Sequence, residues 1–185
     1  MALATPINDP RLLDRLRQIR LLALDVDGVL TDGRLYFQAD GVEIKAFHTQ
    51  DGLGIKLLRR AGIQVALLTG RDSPMVSHRA ASLGIDHVFQ GCQDKLATLR
   101  ELCRRKDLSL EQVAYCGDDL PDLAAIQRAG IGITVPGAPP YIHSLADWIT
   151  TRSGGHGAVR EICDTLLEAQ GHRDALVDTY LHVQH

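Results

Sequence analysis

The chain has 185 residues, 45% hydrophobic and 23% charged, the size and composition of one globular domain with a single core. A formal net charge of -3 argues against a nucleic-acid or anionic-membrane partner, and no apolar run approaches a membrane span. Cys92, Cys103, Cys116 and Cys163 lie far apart with no C-x-x-C pair, which excludes the usual zinc and disulfide patterns, and without a signal-peptide core at the N-terminus the chain reads as cytoplasmic.

Residues 9–19 predict a short amphipathic helix carrying Leu12, Leu13, Leu16 and Ile19. The apolar run that follows predicts a buried strand over 21–26, and it ends in Asp25 and Asp27 before Gly28 lets the chain turn. Side chains alternate along a strand, so the two acids start on the same side. Carboxylates at the end of a buried strand are costly unless a cation or substrate meets them. A plain strand-end turn would use the same residue types. Residues 34–48 then read as two short strands around Asp40-Gly41, a strong hairpin signal. Beyond the hairpin, strands predicted at 64–69, 86–90, 113–117 and 131–135 alternate with helices at 53–61, 74–83, 95–105, 119–129 and 157–169. The fold class is therefore α/β, a doubly wound parallel sheet of Rossmann-like topology covered by helices. We read residues 1–185 as one domain with a hairpin insertion at about 34–48, a C-terminal tail at about 171–185 and no cap domain.

Ligands of such sheets bind at the carboxyl ends of the strands, and polar residues gather there. Val65–Thr69 runs into Gly70-Arg71, Val113–Gly117 runs into Asp118-Asp119 and Asp122, and Lys95 opens a helix after the third strand. Taken singly, Thr69, Asp118 and Asp119 are ordinary helix caps and Lys95 a surface lysine. Together they supply the parts of a phosphoryl-transfer site. One carboxylate can attack phosphorus, and a second acid, Asp27, can protonate the leaving oxygen and then activate water. Mg²⁺ suits a few carboxylates, water and phosphate. Lys95, the Thr69 hydroxyl and the backbone N–H groups near Gly70 can meet the phosphate charge.

Asp25-Val-Asp27-Gly-Val-Leu-Thr31, Thr69-Gly-Arg, Lys95 and Gly117-Asp118-Asp119-x-x-Asp122 resemble, in this order, the four motifs of the haloacid dehalogenase superfamily of phosphatases. The resemblance implies Asp25 as nucleophile and Asp27 as acid/base. It implies Mg²⁺ bound by Asp25, the backbone carbonyl of Asp27 and Asp118, with Asp119 and Asp122 as a supporting layer. Phe47-His-Thr-Gln-Asp51-Gly52, Thr69-Gly70-Arg71-Asp-Ser and Gly154-Gly-His156-Gly-Ala-Val-Arg-Glu are similar to a narrower family, the phosphatases of 3-deoxy-D-manno-octulosonate 8-phosphate. That likeness implies a capless homotetramer of lipopolysaccharide synthesis whose hairpins join around an axis. It implies substrate contacts at Gly70, Arg71, Asp51, Gly52 and His156, and a Gly-Gly-x-Gly segment that can fold toward the site.

His156 stands where many relatives have Arg, and Gln50 where Arg is frequent, so two fixed positive charges are missing. Pro139-Pro-Tyr-Ile also resembles phosphatases of nine-carbon sialic-type acid 9-phosphates, in which Glu tends to follow the Thr-Gly pair; Arg71 favours the eight-carbon substrate. The non-enzymatic alternatives are a binding module that has lost catalysis and a regulatory domain associated with a sugar-acid cytidylyltransferase. Gly130-Ile-Gly132 lacks the context of a dinucleotide site. His182-x-x-His185 reads as fraying tail, and Gly154-Gly155 as either a linker or a substrate lid.

Overall fold

The computed structural model describes residues 8–182. In chain order the first half comprises α1 (Pro10–Gln18), β1 (Leu21–Leu24), β2 (Tyr36–Phe37), β3 (Glu43–Ile44), α2 (Thr49–Arg60), β4 (Gln64–Leu68), α3 (Pro74–Leu83) and β5 (His87–Phe89). The second half comprises α4 (Lys95–Arg105), β6 (Val113–Cys116), α5 (Leu123–Arg128), β7 (Ile131–Thr134), α6 (Pro140–His143), β8 (Trp148–Ile149), α7 (Ala158–Ala169) and α8 (Arg173–Leu181). Six strands lie parallel in the order β5-β4-β1-β6-β7-β8. The chain winds outward from β1 to one edge and then returns to β6 on the other side. That reversal opens a crevice beyond the carboxyl end of β1.

The strands are apolar on both faces because helices cover both. β1, β6 and β7 are buried at every position. Each fully buried Leu or Ile in them contributes about 2 kcal/mol. Register fixes the site: Leu24 pairs with Leu67 on one side and with Cys116 on the other. The residues that follow, Asp25 and Gly117-Asp118, therefore leave the sheet level with one another. The Asp25 N–H still donates to Cys116 O at 2.9 Å, which anchors the first residue past the strand.

Several expected boundaries move. β1 ends at Leu24, which leaves Asp25 held by one backbone bond and frees Asp27 from the ladder. α2 starts at Thr49, four residues earlier than its sequence signal, because Gly52 and Gly54 weaken helix propensity but pack closely. The Cβ that Gly54 lacks would sit 3.0 Å from Arg160 Cδ on α7. The predicted helix 119–129 is a single 3₁₀ turn at Leu120–Asp122 followed by α5. α6 and β8 are too short to leave a periodic signal. Arg173–Leu181 of the expected tail is helical, and His185 of the tail pair lies outside the described residues. Cys103, Cys116 and Cys163 are buried in the core as their apolar settings predict. Among the described residues no helix is long and apolar enough to cross a membrane.

The hairpin of β2 and β3 stands off this body. Its turn is closed by Gln38 N–H to Val42 O at 2.8 Å and by Val42 N–H to Asp40 Oδ1 at 3.0 Å. Leu35, Tyr36, Phe37, Val42 and Ile44 remain exposed, Phe37 at 60%.

Candidate active site

The nucleophile loop is shaped by two small devices. Gly28 has φ +90°, and a Cβ there would lie 1.9 Å from Asp118 Oδ2, so only glycine permits both the turn and the approach of the second acid. The buried Thr31 Oγ1 accepts from the N–H groups of Gly28 and Gly33 at 3.3 and 3.2 Å. The turn is thereby held open toward the crevice. Gly154 and Gly155 brace it from behind. Gly155 N–H donates to Val29 O at 3.0 Å, and a Cβ on Gly154 would collide with Gly28 O. This segment is therefore docked against the nucleophile loop, which sets aside the free-linker reading.

Lys95 is the first residue of α4 and is only 4% exposed. A cation at a helix N-terminus is opposed by the dipole, so its burial requires carboxylates. It donates to Asp25 Oδ1 at 2.8 Å and to Asp122 Oδ1 at 2.6 Å. Asp122 is saturated: Oδ1 also accepts from Tyr115 Oη at 2.6 Å, and Oδ2 accepts from the Asp118 and Asp119 N–H groups at 3.2 and 3.3 Å. Asp122 thus organises the site and has no lone pair left for a ligand. Burial keeps the Tyr115 hydroxyl protonated, with its pKa well above the ordinary value.

Oxygens of Asp25, Asp118 and Asp122 lie within 4.8 Å of one another. Lys95 is the one ammonium among them, so the group carries an excess of negative charge. Burial, with Asp122 beside it and Lys95 opposing, raises Asp25 to about 7. Burial and the neighbouring Asp122 and Asp119 raise Asp118 to about 6. Carboxylates shifted this way hold a proton or are neutralised by a cation. Asp25 and Asp118 offer hard oxygens beside open space, the donor set that Mg²⁺ accepts.

Asp25, Asp27, Thr69, Gly70, Arg71, Lys95, Asp118, Asp119 and Asp122 line one cleft of about 360 Å³. Larger hollows lie elsewhere, one of about 600 Å³ beside Arg17 and Ala169, which has no acid in its lining among the described residues. Thr69 is 2% exposed, and its Oγ1 accepts from Arg71 N–H at 3.3 Å. Arg71 is half exposed and pairs with Glu43 at 2.5 Å. His156 lies on an adjoining hollow of about 490 Å³ that shares Gly33 and Asp118 with the cleft.

Three expected placements differ. Asp51 is 1% exposed and takes the Arg160 N–H at 2.7 Å, so it ties α2 to α7 and does not face the cleft. Gly52 is buried beneath Arg79, whose guanidinium lies 2.3 Å from where a Cβ would be. Asp119 reaches the cleft rim, but its side chain accepts from Leu120 N–H at 2.8 Å and caps the 3₁₀ turn. Gln50, where a charge was missing, accepts from Arg152 at 3.2 Å.

The sequence reading missed Lys45, Glu43 and Tyr115. Lys45 is 2% exposed in its side chain, lies 2.7 Å from Glu43 Oε1 and donates to Asp27 Oδ1. The signal was present: Val42 and Ile44 alternate with Glu43 and Lys45, which puts the two charges on one side of the extended segment around β3.

Residues 87–162 match the model of the haloacid dehalogenase-like hydrolases. A 3-deoxy-D-manno-octulosonate 8-phosphate phosphatase of Salmonella typhimurium is 44% identical over 165 residues, covering 89% of this chain and 88% of its own. That of Haemophilus influenzae is 45% identical, covering 89% and 91%. The crystal structure of the Moraxella catarrhalis phosphatase, in complex with magnesium, phosphate and KDO, superposes with a TM-score of 0.89 at 46% identity, covering 91% of this chain and 97% of that one. Likeness of this extent, over about nine-tenths of the chain, places it in the 3-deoxy-D-manno-octulosonate 8-phosphate phosphatase family of haloacid dehalogenase-like hydrolases.

Proposed function

We propose that this chain is a Mg²⁺-dependent phosphatase that converts 3-deoxy-D-manno-octulosonate 8-phosphate to the free sugar acid and phosphate. The observation that carries the reading is the buried Asp25–Lys95–Asp122 group facing Asp118 across the β1/β6 crevice. The free Oδ2 of Asp25 attacks phosphorus, and the bond to the sugar oxygen breaks. Asp27 gives that oxygen its proton. Water then attacks the aspartyl-phosphate, passes its proton to Asp27 and releases phosphate as the bond to Asp25 breaks. Lys95 neutralises charge on both carboxylates it touches, and the Thr69 hydroxyl and Gly70 N–H donate to phosphate oxygens. When bound by Asp25, Asp118 and the backbone carbonyl of Asp27, Mg²⁺ reduces the repulsion between the phosphate and these acids. Arg71 and His156 lie where they can meet the sugar-acid portion.

In the same reading residues 1–185 form one domain working in the cytoplasm as a homotetramer joined through the hairpins. The supporting observation is the exposed apolar set on β2 and β3, more than a lone hairpin carries stably in water. The test is Mg²⁺-dependent phosphate release from 3-deoxy-D-manno-octulosonate 8-phosphate beside a nine-carbon sialic-type acid 9-phosphate. A kcat/KM at least about tenfold higher for the eight-carbon acid is expected. A preference for the nine-carbon acid would replace the substrate, and absence of turnover on any phosphate would reject the enzyme.

A further inference from the structure

We propose that Lys45, carried on the hairpin, is the positioning residue for Asp27, and that it makes catalysis depend on where the hairpin sits. The proposal rests on the reading of Asp27 as acid/base given above.

A chain of alternating charges crosses from the hairpin to the site. Arg71, beside Thr69, pairs with Glu43 Oε2; Glu43 Oε1 lies 2.7 Å from Lys45 Nζ; and Lys45 donates to Asp27 Oδ1. The middle of the chain is desolvated: the Lys45 side chain is 2% exposed, and those of Glu43 and Asp27 are 20% and 21% exposed. Pairs buried to this extent are screened little by salt, and removing one partner leaves the others uncompensated. Without Lys45, the Asp27 and Glu43 carboxylates would face each other with only Arg71 to offset them.

The consequence for chemistry is directional. One oxygen of Asp27 is tied to Lys45, which leaves Oδ2 as the oxygen that can turn to the reacting atoms. A reacting group oriented by a third residue is a general device of acid/base catalysis. Here the third residue does not belong to the sheet that holds the nucleophile. It belongs to a hairpin whose strands are two residues each. Lys45 touches no reacting atom in this arrangement, and its effect passes through Asp27.

The test compares substrates that differ in their need for a proton. Lys45→Met removes the ammonium and keeps the stem. On alkyl phosphates, both the sugar-acid phosphate and glycerol phosphate, kcat should fall about 10- to 100-fold with KM little changed, the size of loss seen when an orienting partner is removed. On p-nitrophenyl phosphate the leaving phenolate needs no proton, so the first-turnover burst should fall by a much smaller factor. Lys45→Arg keeps a donor toward Asp27 and should restore part of the alkyl rate. Glu43→Gln leaves Lys45 in place and serves as the second variant should Lys45→Met fold poorly; a smaller loss with the same alkyl bias is expected. Equal losses on the burst and on the alkyl phosphates, or no loss on either, would overturn the proposal. Wild-type turnover of glycerol phosphate but not of the sugar-acid phosphate would reject the substrate reading instead, and the glycerol phosphate ratio would still decide the role of Lys45.

Discussion

The strand-end cluster and the hairpin lie on opposite sides of Asp27 and are built on opposite principles. Around Lys95 the polar groups hold one another: Asp122 alone accepts from Lys95, Tyr115 and two backbone N–H groups, and the strands beneath are buried on both faces. The hairpin has two-residue strands, exposes Phe37, Val42 and Ile44, and meets the body through ion pairs. The difference separates two requirements. A nucleophile that must be placed within a fraction of an ångström sits on rigid elements, whereas the hairpin is held to them by side-chain ion pairs.

The sharpest way to break that division is at the rigid end. Asp25→Asn should lower turnover of every phosphate by at least about 1,000-fold while the fold is retained, because an amide cannot form the acyl phosphate. Substantial residual phosphate release from a clean preparation, with an unchanged circular dichroism spectrum, would remove Asp25 from that role. Asp118→Ala comes next. It should raise the Mg²⁺ concentration needed for half-maximal rate by at least about 100-fold, which a metal titration reads directly. Full activity of the native enzyme after exhaustive chelation would contradict the metal requirement altogether.

Substitution at the hairpin should be selective. Phe37→Glu with Ile44→Glu should dissociate the proposed tetramer in light scattering and cut kcat/KM for the sugar acid by about tenfold or more, the scale on which interface hot spots act. Slow cleavage of p-nitrophenyl phosphate should survive. A monomer with undiminished sugar-acid turnover would show that the hairpin is not a subunit contact that matters.

A fourth experiment uses pH. Asp25 and Asp118 stand at about 7 and about 6 in the folded protein, against an ordinary 3.8. The folded state therefore holds protons that the unfolded chain has released, so in chelator its stability should fall as pH rises from about 4 to about 7. Added Mg²⁺ should flatten the upper part of that slope. A melting temperature that rises over the same window in chelator would refute the assignment. The smallest effect is expected for Tyr115→Phe, which leaves Asp122 short of one donor at a cost of about 1 kcal/mol and should lower kcat only modestly.

The same division explains what could be read in advance. The acids at 25, 27 and 118 and the lysine at 95 were legible because strand ends in a wound sheet converge, so local patterns sufficed. Asp51 was misread because its partner, the Arg160 N–H, lies 109 residues away, and nothing near position 51 distinguishes a ligand contact from an interhelical tie. Gly52 failed similarly, since its smallness serves Arg79 and not a substrate. Lys45 was hidden differently: its alternation was visible, but a charge on a short hairpin normally faces water, and only the tertiary approach of Asp27 buries it.

The brace behind the nucleophile loop has a consequence for the order in which the enzyme is made. Asp25 is translated well before its supports: the loop that aims it is pinned by Gly155, and its strand pairs with β6, Val113–Cys116. A nascent chain on the ribosome therefore carries the attacking carboxylate long before it has Asp118, Asp122 or the Gly154-Gly155 support. Domains generally fold as units during synthesis. The capacity to capture a divalent ion and cleave phosphate is accordingly acquired only once the segment through Gly155 has been made, and a ribosome that stalls between Asp25 and Gly155 leaves behind an inert product.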